Sequence, residues 1–480
     1  MGLYNKTVKG VTWSLLSTIL NILIQVCAGI VLARLLTPAD FGVYAMCFAI
    51  LVISRGVIDS GFYQALIQKK DADQIDFSLV FHVNLFLSLI LFFLLFFNSD
   101  KVERFYGQEG ISEIIKFLSF LLLIEAFSLI QKASLIKEIK FDQIAKIETS
   151  SKLISLSFSV LLAYGGYGVW SLLLKDLLFS IMTTFSYWYL NPIKILLYVP
   201  YNRLKSLFNF GFKVFIADQI ESLSNQIAQI IVGKKFSAAD LGFFNKSEEF
   251  QKLFAQTPIV SINKVMFPSF VQIQNDNYKL KQKYKTLIEV SLFFIFPILF
   301  NAILIANEMV VVLIGDKWIE SVLYFQILCV SGMFYPFTVY NLNLLKVKGL
   351  AGLYLKTCLL SKGLLLPIIF ISIKFGVIGL VLGLVFQRFF AVLVNSYNSG
   401  KIIDFSIYQQ VKSVSKSFFI SAQIFIFLFY IKCSFTDGLS DIFNLLFLSV
   451  TYLFLYMILS LKFQKNKIET VIKLISFFRK

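Results

Sequence analysis

Polar side chains lie at helical spacing inside long apolar segments of this sequence. Segment 207–232 shows the clearest pattern, because one helical face is polar while isoleucines and leucines cover the opposite face. Segment 11–33 repeats this arrangement with Asn21 and Gln25. One face of each segment therefore suits lipid, and the other suits water or protein. The polar face of segment 207–232 consists of Asp218, Glu221, Ser222, Asn225 and Gln229.

Further ionic side chains stand inside apolar segments, where each costs about 2.5–3.5 kcal/mol at mid-bilayer. They must pair with one another or surround a hydrated cavity. Arg55 and Asp59 can form an ion pair at i, i+4 or face such a cavity. Lys175 and Asp176 are adjacent and diverge by about 100° on a helix, which disfavours pairing with each other. The embedded ionic residues are Arg55, Asp59, Glu125, Lys152, Lys175, Asp176, Lys213, Lys264, Lys362 and Arg388, and segment 240–269 adds Lys252.

This mixture of groups favours an anionic, hydroxyl-rich cargo over catalysis. Arginine can hold a phosphate through two parallel hydrogen bonds, and amides and hydroxyls suit sugars. The one histidine, His82, excludes a multi-histidine metal site, and the five cysteines form no C-x-x-C pair. There is also no phosphate-binding G-x-x-x-x-G-K-[ST] loop. We therefore expect no catalytic residues, no metal, no cofactor and no direct ATP drive.

The elements that must position these groups are membrane helices, since 58% of the 480 residues are hydrophobic and 15% are charged. Fourteen apolar segments are long enough to span a bilayer, and no soluble domain fits between them. Alternate connections carry 25 lysines and arginines on one side and 8 on the other. This bias places both termini in the cytoplasm. Much of the net charge of +17 is then a topology signal, so we expect no nucleic-acid partner.

An internal repeat divides the chain. The motif around Asp40 and Gly42 recurs 200 residues later around Asp240 and Gly242. In both copies a hydroxyl residue, Thr37 or Ser237, can cap the next helix, with the aspartate in its first turn. An even number of spans per copy makes the two copies parallel. The predicted regions are an N-terminal lobe (1–190), a cytoplasmic linker (191–206), a C-terminal lobe (207–398), and a region 399–480 with helices 13 and 14 and an amphipathic tail lying on the inner membrane surface.

Prolines within spans are confined to the second copy. Proline removes a helical hydrogen bond and bends the helix, so we expect more internal bending in the second lobe during transport. These prolines are Pro258, Pro297, Pro336 and Pro367.

The N-terminal motifs resemble those of a known family. Residues 9–14 (KGVTWS), 32–42 (LARLLTPADFG) and 60–62 (SGF) are similar to the polysaccharide-biosynthesis branch of the multidrug/oligosaccharidyl-lipid/polysaccharide exporter superfamily. Within that branch the chain most resembles the Wzx/WzxC-type flippases. The predicted fold class is accordingly an all-α integral membrane protein with two parallel six-helix lobes and two appended helices.

The resemblance implies a V-shaped, alternating-access transporter in the bacterial inner membrane. It would carry an undecaprenyl-diphosphate-linked oligosaccharide, destined for O-antigen, capsule or exopolysaccharide, from the cytoplasmic to the outer leaflet. The family's lumen is cationic, and the resemblance implies six cationic candidates for it: Arg55, Lys152, Lys175, Lys213, Lys252 and Arg388. Asp59, Asp218 and Glu221 would serve a coupling ion. Membrane lipids, a polysaccharide polymerase and chain-length machinery are the implied partners.

Three other functions compete with this one. A multidrug or cation antiporter of the same fold would rely on acidic groups such as Asp218 and Glu221. A lipid II flippase would be essential for growth. A membrane polymerase or ligase would usually have a large external loop, and none is predicted here.

Overall fold

The computed structural model describes the backbone of residues 3–59, 66, 69, 72–138, 140–197, 202–435, 439–465 and 467–469. Side chains are described for the same residues except 3–16, 202–214, 217–218, 264–265 and 268. The predictions for the side chains of Lys213 and Asp218, and for the tail beyond residue 469, therefore lie outside the described residues.

Every regular element in the described ranges is a helix, which confirms the all-α prediction for that part of the chain. The chain forms two compact units, Met1–Gly242 and Phe243–Lys480. Nine described segments are long and apolar enough to cross a membrane. One of them, Ala351–Ile403, contains two of the predicted spans. The arrangement of fourteen spans as two sets of six plus two stays a prediction.

In unit 1, α2 packs against α3, α4, α7 and α8. The helix α3 lies along α4, while α6 lies between α1 and α7. The helices of unit 1 are α1 (Leu3–Leu35), α2 (Pro38–Asp59), α3 (Gln74–Tyr106), α4 (Ile111–Ala126), α5 (Leu129–Lys137), α6 (Phe141–Tyr164), α7 (Val169–Leu190) and α8 (Asn202–Lys235), with α9 (Ala238–Gln251) beginning at its end.

In unit 2, α17 packs against α13, α14, α15 and α16, and α11 packs against α13 and α18. After α9, a five-residue π-helical turn (Lys252–Gln256) leads into the remaining helices. They are α10 (Thr257–Val271), α11 (Asn277–Leu304), α12 (Ala306–Ile314), α13 (Ser321–Met333), α14 (Tyr335–Val347), α15 (Ala351–Gly363), α16 (Leu365–Ser372), α17 (Gly376–Ile403), α18 (Ile407–Phe435) and α19 (Asp441–Phe463).

The prolines explain why some predicted spans are broken. Pro336 lies in the first turn of α14, where the helix restarts after Phe334. Pro258 follows the π-helical turn, and Pro297 lies within the uninterrupted α11. Proline lacks the N–H that would bond back to the preceding turn, so helices restart or bend there.

Helix α19 shows how the outer surface suits lipid. Val450, Phe454 and Met457 are each more than 60% exposed, whereas Tyr452 and Tyr456 on the same helix are buried. Exposing such an apolar face to water would cost free energy, whereas contact with the hydrocarbon of the bilayer would not.

The two motif copies adopt the same local structure, as the sequence predicted. The Asp40 backbone N–H donates a hydrogen bond to Thr37 Oγ1 at 3.2 Å, and the Thr37 backbone N–H donates to Asp40 Oδ2 at 2.9 Å. The corresponding bonds between Ser237 and Asp240 are both 3.1 Å. Each pair is a reciprocal helix cap that satisfies backbone donors at the start of α2 or α9.

The two copies also contact each other reciprocally through their glycines. A Cβ added at Gly42 would lie 1.7 Å from the carbonyl oxygen of Ala238. A Cβ added at Gly242 would lie 1.9 Å from the carbonyl oxygen of Pro38. Pro38 and Ala238 are equivalent positions of the repeat, so the contact has approximate two-fold symmetry. Glycine is required because any side chain would collide with backbone atoms, which cannot rotate away.

Gly42→Ala and Gly242→Ala should each destabilise the protein by about 1–3 kcal/mol, because the added methyl forces the two motifs apart. The measurement is the thermal unfolding midpoint of the purified protein in detergent. Gly352→Ala is the matched control, since open space surrounds that helical glycine. Equal midpoints for all three variants would contradict the reciprocal contact.

Candidate functional site

A polar pocket of about 360 Å³ lies in unit 1 and is lined by residues of α2, α4, α5, α6 and α7. Residues from five helices meet there although they are widely separated in the sequence. Such a cavity is the environment that ionic groups inside apolar helices require. Its ionic lining residues are Arg55, Asp59, Glu125, Lys132 and Glu148.

Arg55 of α2 forms a two-point ion pair with Glu125 of α4. The Arg55 Nε donates to Glu125 Oε2 at 2.7 Å, and Arg55 Nη2 donates to Glu125 Oε1 at 2.5 Å. The Ser180 hydroxyl also donates to Glu125 Oε1, at 3.0 Å. The sequence left two roles open for Arg55 and Asp59, an ion pair with each other or a place on a cavity wall. Both residues line this pocket, and Arg55 binds a carboxylate of another helix.

A second ion pair borders the same pocket. Lys132 Nζ lies 2.7 Å from Glu148 Oε1, and the Tyr187 hydroxyl donates to that oxygen at 3.1 Å. These residues belong to α5, α6 and α7. The lining thus contains three carboxylates and two cations, so this pocket by itself is not net positive. The expected cationic character of the wider lumen stays a prediction.

Lys175 and Asp176 do pair, contrary to the expectation from their helical spacing. The Lys175 Nζ lies 3.3 Å from Asp176 Oδ1. Tyr44 joins them, since its hydroxyl donates to Asp176 Oδ2 at 2.7 Å and its ring centroid lies 5.2 Å from the Lys175 Nζ. The Lys175 side chain is long enough to reach the Asp176 carboxylate although the two positions point in different directions on the helix. The Tyr44 ring stabilises the lysine ammonium through a cation–π interaction.

The polar face of α1 contacts α6. Asn21 Nδ2 donates to the Thr149 hydroxyl at 3.2 Å, and Lys152 Nζ donates to Gln25 Oε1 at 2.9 Å. Two predicted site residues of α1 and one of α6 are therefore brought together. Amide and hydroxyl contacts of this kind bind helices to each other inside a membrane.

The polar face of α8 lines a second pocket of unit 1. Glu221 and Asn225 border this pocket of about 320 Å³ together with Val52 of α2, while Gln229 is buried. The helices α2 and α8 approach each other closely at Gly56. A Cβ added at Gly56 of α2 would lie 2.2 Å from the side-chain amide nitrogen of Gln219 on α8. The helix α2 therefore lines both pockets.

The two remaining cationic candidates belong to unit 2 and have contacts there. Lys252 Nζ lies 2.9 Å from Glu248 Oε1, one turn earlier on the helix. The Arg388 guanidinium lies 5.7 Å from the centroid of the Tyr335 ring. Their role in cargo binding stays a prediction.

Sequence reasoning missed the carboxylates and aromatics that hold the cations. The sequence places Glu125 among the embedded ions but does not pair it with Arg55, and it gives Glu148 and Tyr44 no role. Lys132 is one of the 25 basic residues counted in the cytoplasmic connections and has no predicted role in a site. Lys246, which is 2% exposed and pairs with Glu249 at 2.9 Å, is not predicted either. A search for every acidic residue inside the fourteen predicted spans would find Glu148, because it lies in the span predicted at 144–165.

The described helices define a multi-pass membrane protein, since nine described segments are long and apolar enough to span a bilayer. The chain belongs to the polysaccharide biosynthesis protein family, which matches residues 31–323. This confirms the resemblance found in the N-terminal motifs.

Its relatives include proteins of surface-polysaccharide synthesis. The lipopolysaccharide biosynthesis protein WzxC of Escherichia coli K12 is 24% identical over 417 residues, which cover 85% of this chain and 84% of WzxC. The teichuronic acid biosynthesis protein TuaB of Bacillus subtilis 168 is 23% identical over 351 residues, 72% of each chain. The succinoglycan biosynthesis transport protein ExoT of Rhizobium meliloti 1021 is 21% identical over 314 residues, which cover 65% of this chain and 64% of ExoT.

Solved structures establish the same fold at low sequence identity. The lipid II flippase MurJ in an inward closed conformation matches with a TM-score of 0.76 at 14% identity, covering 96% of this chain and 100% of MurJ. An inward-facing multidrug resistance transporter of the MATE family, in the MOP superfamily, matches with a TM-score of 0.63 at 16% identity, covering 80% and 94%. The fold is therefore that of MurJ and MATE.

A double-mutant cycle of Arg55→Ala and Glu125→Ala should show a coupling of about 0.5–3 kcal/mol, because each substitution leaves the other charge without its partner. Thermal unfolding midpoints of the single and double variants measure it. The matched control is the more exposed pair Lys116–Asp100, whose ionic atoms lie 3.7 Å apart, and there we expect a much smaller coupling. Strictly additive effects at Arg55 and Glu125 would contradict the ion pair.

Proposed function

We propose that this protein is a flippase, not an enzyme, that moves undecaprenyl-diphosphate-linked oligosaccharide units from the cytoplasmic to the outer leaflet. The observation that carries the proposal is a polar pocket with an arginine inside the helical bundle of a polysaccharide biosynthesis protein. Two relatives support it by name, since WzxC is a lipopolysaccharide biosynthesis protein and ExoT is a succinoglycan biosynthesis transport protein.

The physical division of the cargo supports this function. An undecaprenyl tail can remain in lipid, while the diphosphate and sugars cannot cross hydrocarbon without compensation. Arg55 and Lys132 offer donors to phosphate, and Ser180, Thr183 and Tyr187 place hydroxyls on the same pocket wall. The polar faces of α1 and α8 add amides that suit sugar hydroxyls.

The finer architecture is part of the same proposal. We assign fourteen spans as two parallel sets of six plus two, with both termini in the cytoplasm and alternating access between the leaflets. The nine apolar segments contain ten of these spans, and in this scheme the other four are α4, α6, α8 and the stretch formed by α9 and α10. A polymerase and chain-length machinery would take up the product outside.

A cation or drug antiporter is the second candidate, and one observation favours it. Asp59, Glu125 and Glu148 outnumber the cations of the 360 Å³ pocket. The likeness to the MATE transporter concerns the fold alone, whereas the sequence relatives have polysaccharide names. Drug-resistance and surface-polysaccharide assays on a deletion strain distinguish the two functions. A lipid II flippase differs again, because its loss would stop growth.

Arg388→Ala and Lys252→Ala should each lower surface polysaccharide by about tenfold, the change that follows when one charge-assisted contact is lost. The measurement is polysaccharide on cells that carry each variant at wild-type protein level. Lys356→Ala, at an exposed lysine of α15, is the matched control. Normal polysaccharide in both variants would remove Arg388 and Lys252 from the site.

Transport in sealed vesicles should accelerate when the outer side is positive. Moving about two negative charges outward gains roughly 4–5 kcal/mol at ~100 mV. Proton or sodium antiport would act through Asp59, Asp218 or Glu221. The rate is measured with a labelled lipid-linked oligosaccharide under imposed potentials and ion gradients. A rate indifferent to both voltage and ion gradients would reject both driving forces.

A further inference from the structure

One edge of the Arg55 guanidinium is occupied in this structure. The Nε and Nη2 atoms donate to the two carboxylate oxygens of Glu125, and the Cζ atom lies 5.3 Å from the Phe48 ring centroid. A phosphate group presents the same pair of acceptor oxygens to a guanidinium as a carboxylate does. Glu125 therefore occupies the Nε–Nη2 edge, which a phosphate would need for the same two-point contact.

We propose that Glu125 is an internal counter-ion that holds Arg55 in the absence of cargo and is displaced by a diphosphate. This inference rests on the proposed function and specifies how that site would accept and release the cargo. Glu125 would then be a positioning residue that sets the affinity for the anion.

The geometry allows this displacement. The Arg55 and Glu125 side chains are 31% and 26% exposed and border a pocket of about 360 Å³, so an anion can reach them. Glu125 lies in the last turn of α4, and the Ser180 hydroxyl already donates to it. That hydroxyl can continue to bind the carboxylate after the guanidinium has left.

Another ion pair of the protein shows what a permanent structural contact looks like. Glu308 is 4% exposed at its side chain, and Lys432 binds both its carboxylate and the Leu304 carbonyl oxygen at 2.8 Å. No comparable enclosure surrounds Glu125.

The surrounding charges also favour exchange over permanent binding. Asp59 and Glu148 face the same pocket as Glu125, and Lys132 pairs with Glu148. Asp176 acts electrostatically on Arg55 from α7. A diphosphate bound at Arg55 would lie near several carboxylates, which lowers its affinity and permits release. Glu125 is the nearest of these competitors, because it binds the same guanidinium when no cargo is present.

The test uses the full-length protein in detergent, with inorganic pyrophosphate as the probe and titration calorimetry as the measurement. Glu125→Gln should bind pyrophosphate about tenfold more tightly than wild type, because a competing charge is removed while the side-chain shape is kept. Arg55→Ala should bind it about tenfold more weakly. The double variant should bind as weakly as Arg55→Ala alone. A role of Glu125 that is confined to helix packing predicts no gain in affinity.

The control is Asp100→Asn, which removes the negative charge of the Lys116–Asp100 pair. That pair lies outside this pocket, so the affinity for pyrophosphate should not change. If Glu125→Gln is poorly folded, Glu125→Asp keeps the charge but shortens the reach, and it too should bind more tightly than wild type. If the folded Glu125 variant binds pyrophosphate no more tightly than wild type while Arg55→Ala binds it more weakly, the counter-ion role of Glu125 is wrong. Wild-type affinity in Arg55→Ala overturns it as well. The proposed function is judged separately, because a deletion strain with unchanged surface polysaccharide would reject it whatever the affinities are.

Discussion

The free-energy cost of placing an ionic group in hydrocarbon explains how the described helices of this protein are arranged. Each embedded charge needs a partner or a hydrated wall, and the helices are arranged accordingly. Arg55 meets Glu125, Lys132 meets Glu148, and Lys175 meets Asp176, each within unit 1. The pairs tie α2 to α4 and α5 to α6. The same requirement that holds these helices together leaves a polar pocket at their junction, which is the feature a transporter of charged head groups needs.

The repeat contributes a second constraint. Its two motif copies have the same helix caps and face each other through Gly42 and Gly242. A glycine that meets a backbone carbonyl permits a closer approach of two helix ends than any other residue. Because both copies supply a glycine and a carbonyl, the contact is reciprocal. Equivalent positions of the two motif copies thus supply both partners of the contact.

The sequence predicted helical structure, the repeat, the caps and the family, because these depend on local periodicity and on short motifs. It also located the polar faces of α1 and α8. It did not identify ion-pair partners. Spacing along α2 offered Asp59 as one possible partner of Arg55, whereas Glu125, which binds Arg55, is supplied by α4. Lys175 and Asp176 were expected to diverge, yet a flexible lysine and the ring of Tyr44 bring them together.

The sequence by itself determined that the chain enters a membrane, that it carries ionic groups there, and that two segments are copies. Composition and periodicity suffice for those conclusions, since the hydrophobic effect acts on each segment separately. Only the tertiary structure decided which charge neutralises which, and that the pocket containing Arg55 holds more carboxylates than cations. Ion pairing depends on distances of a few ångströms between separate helices, and spacing along one helix carries no record of those distances.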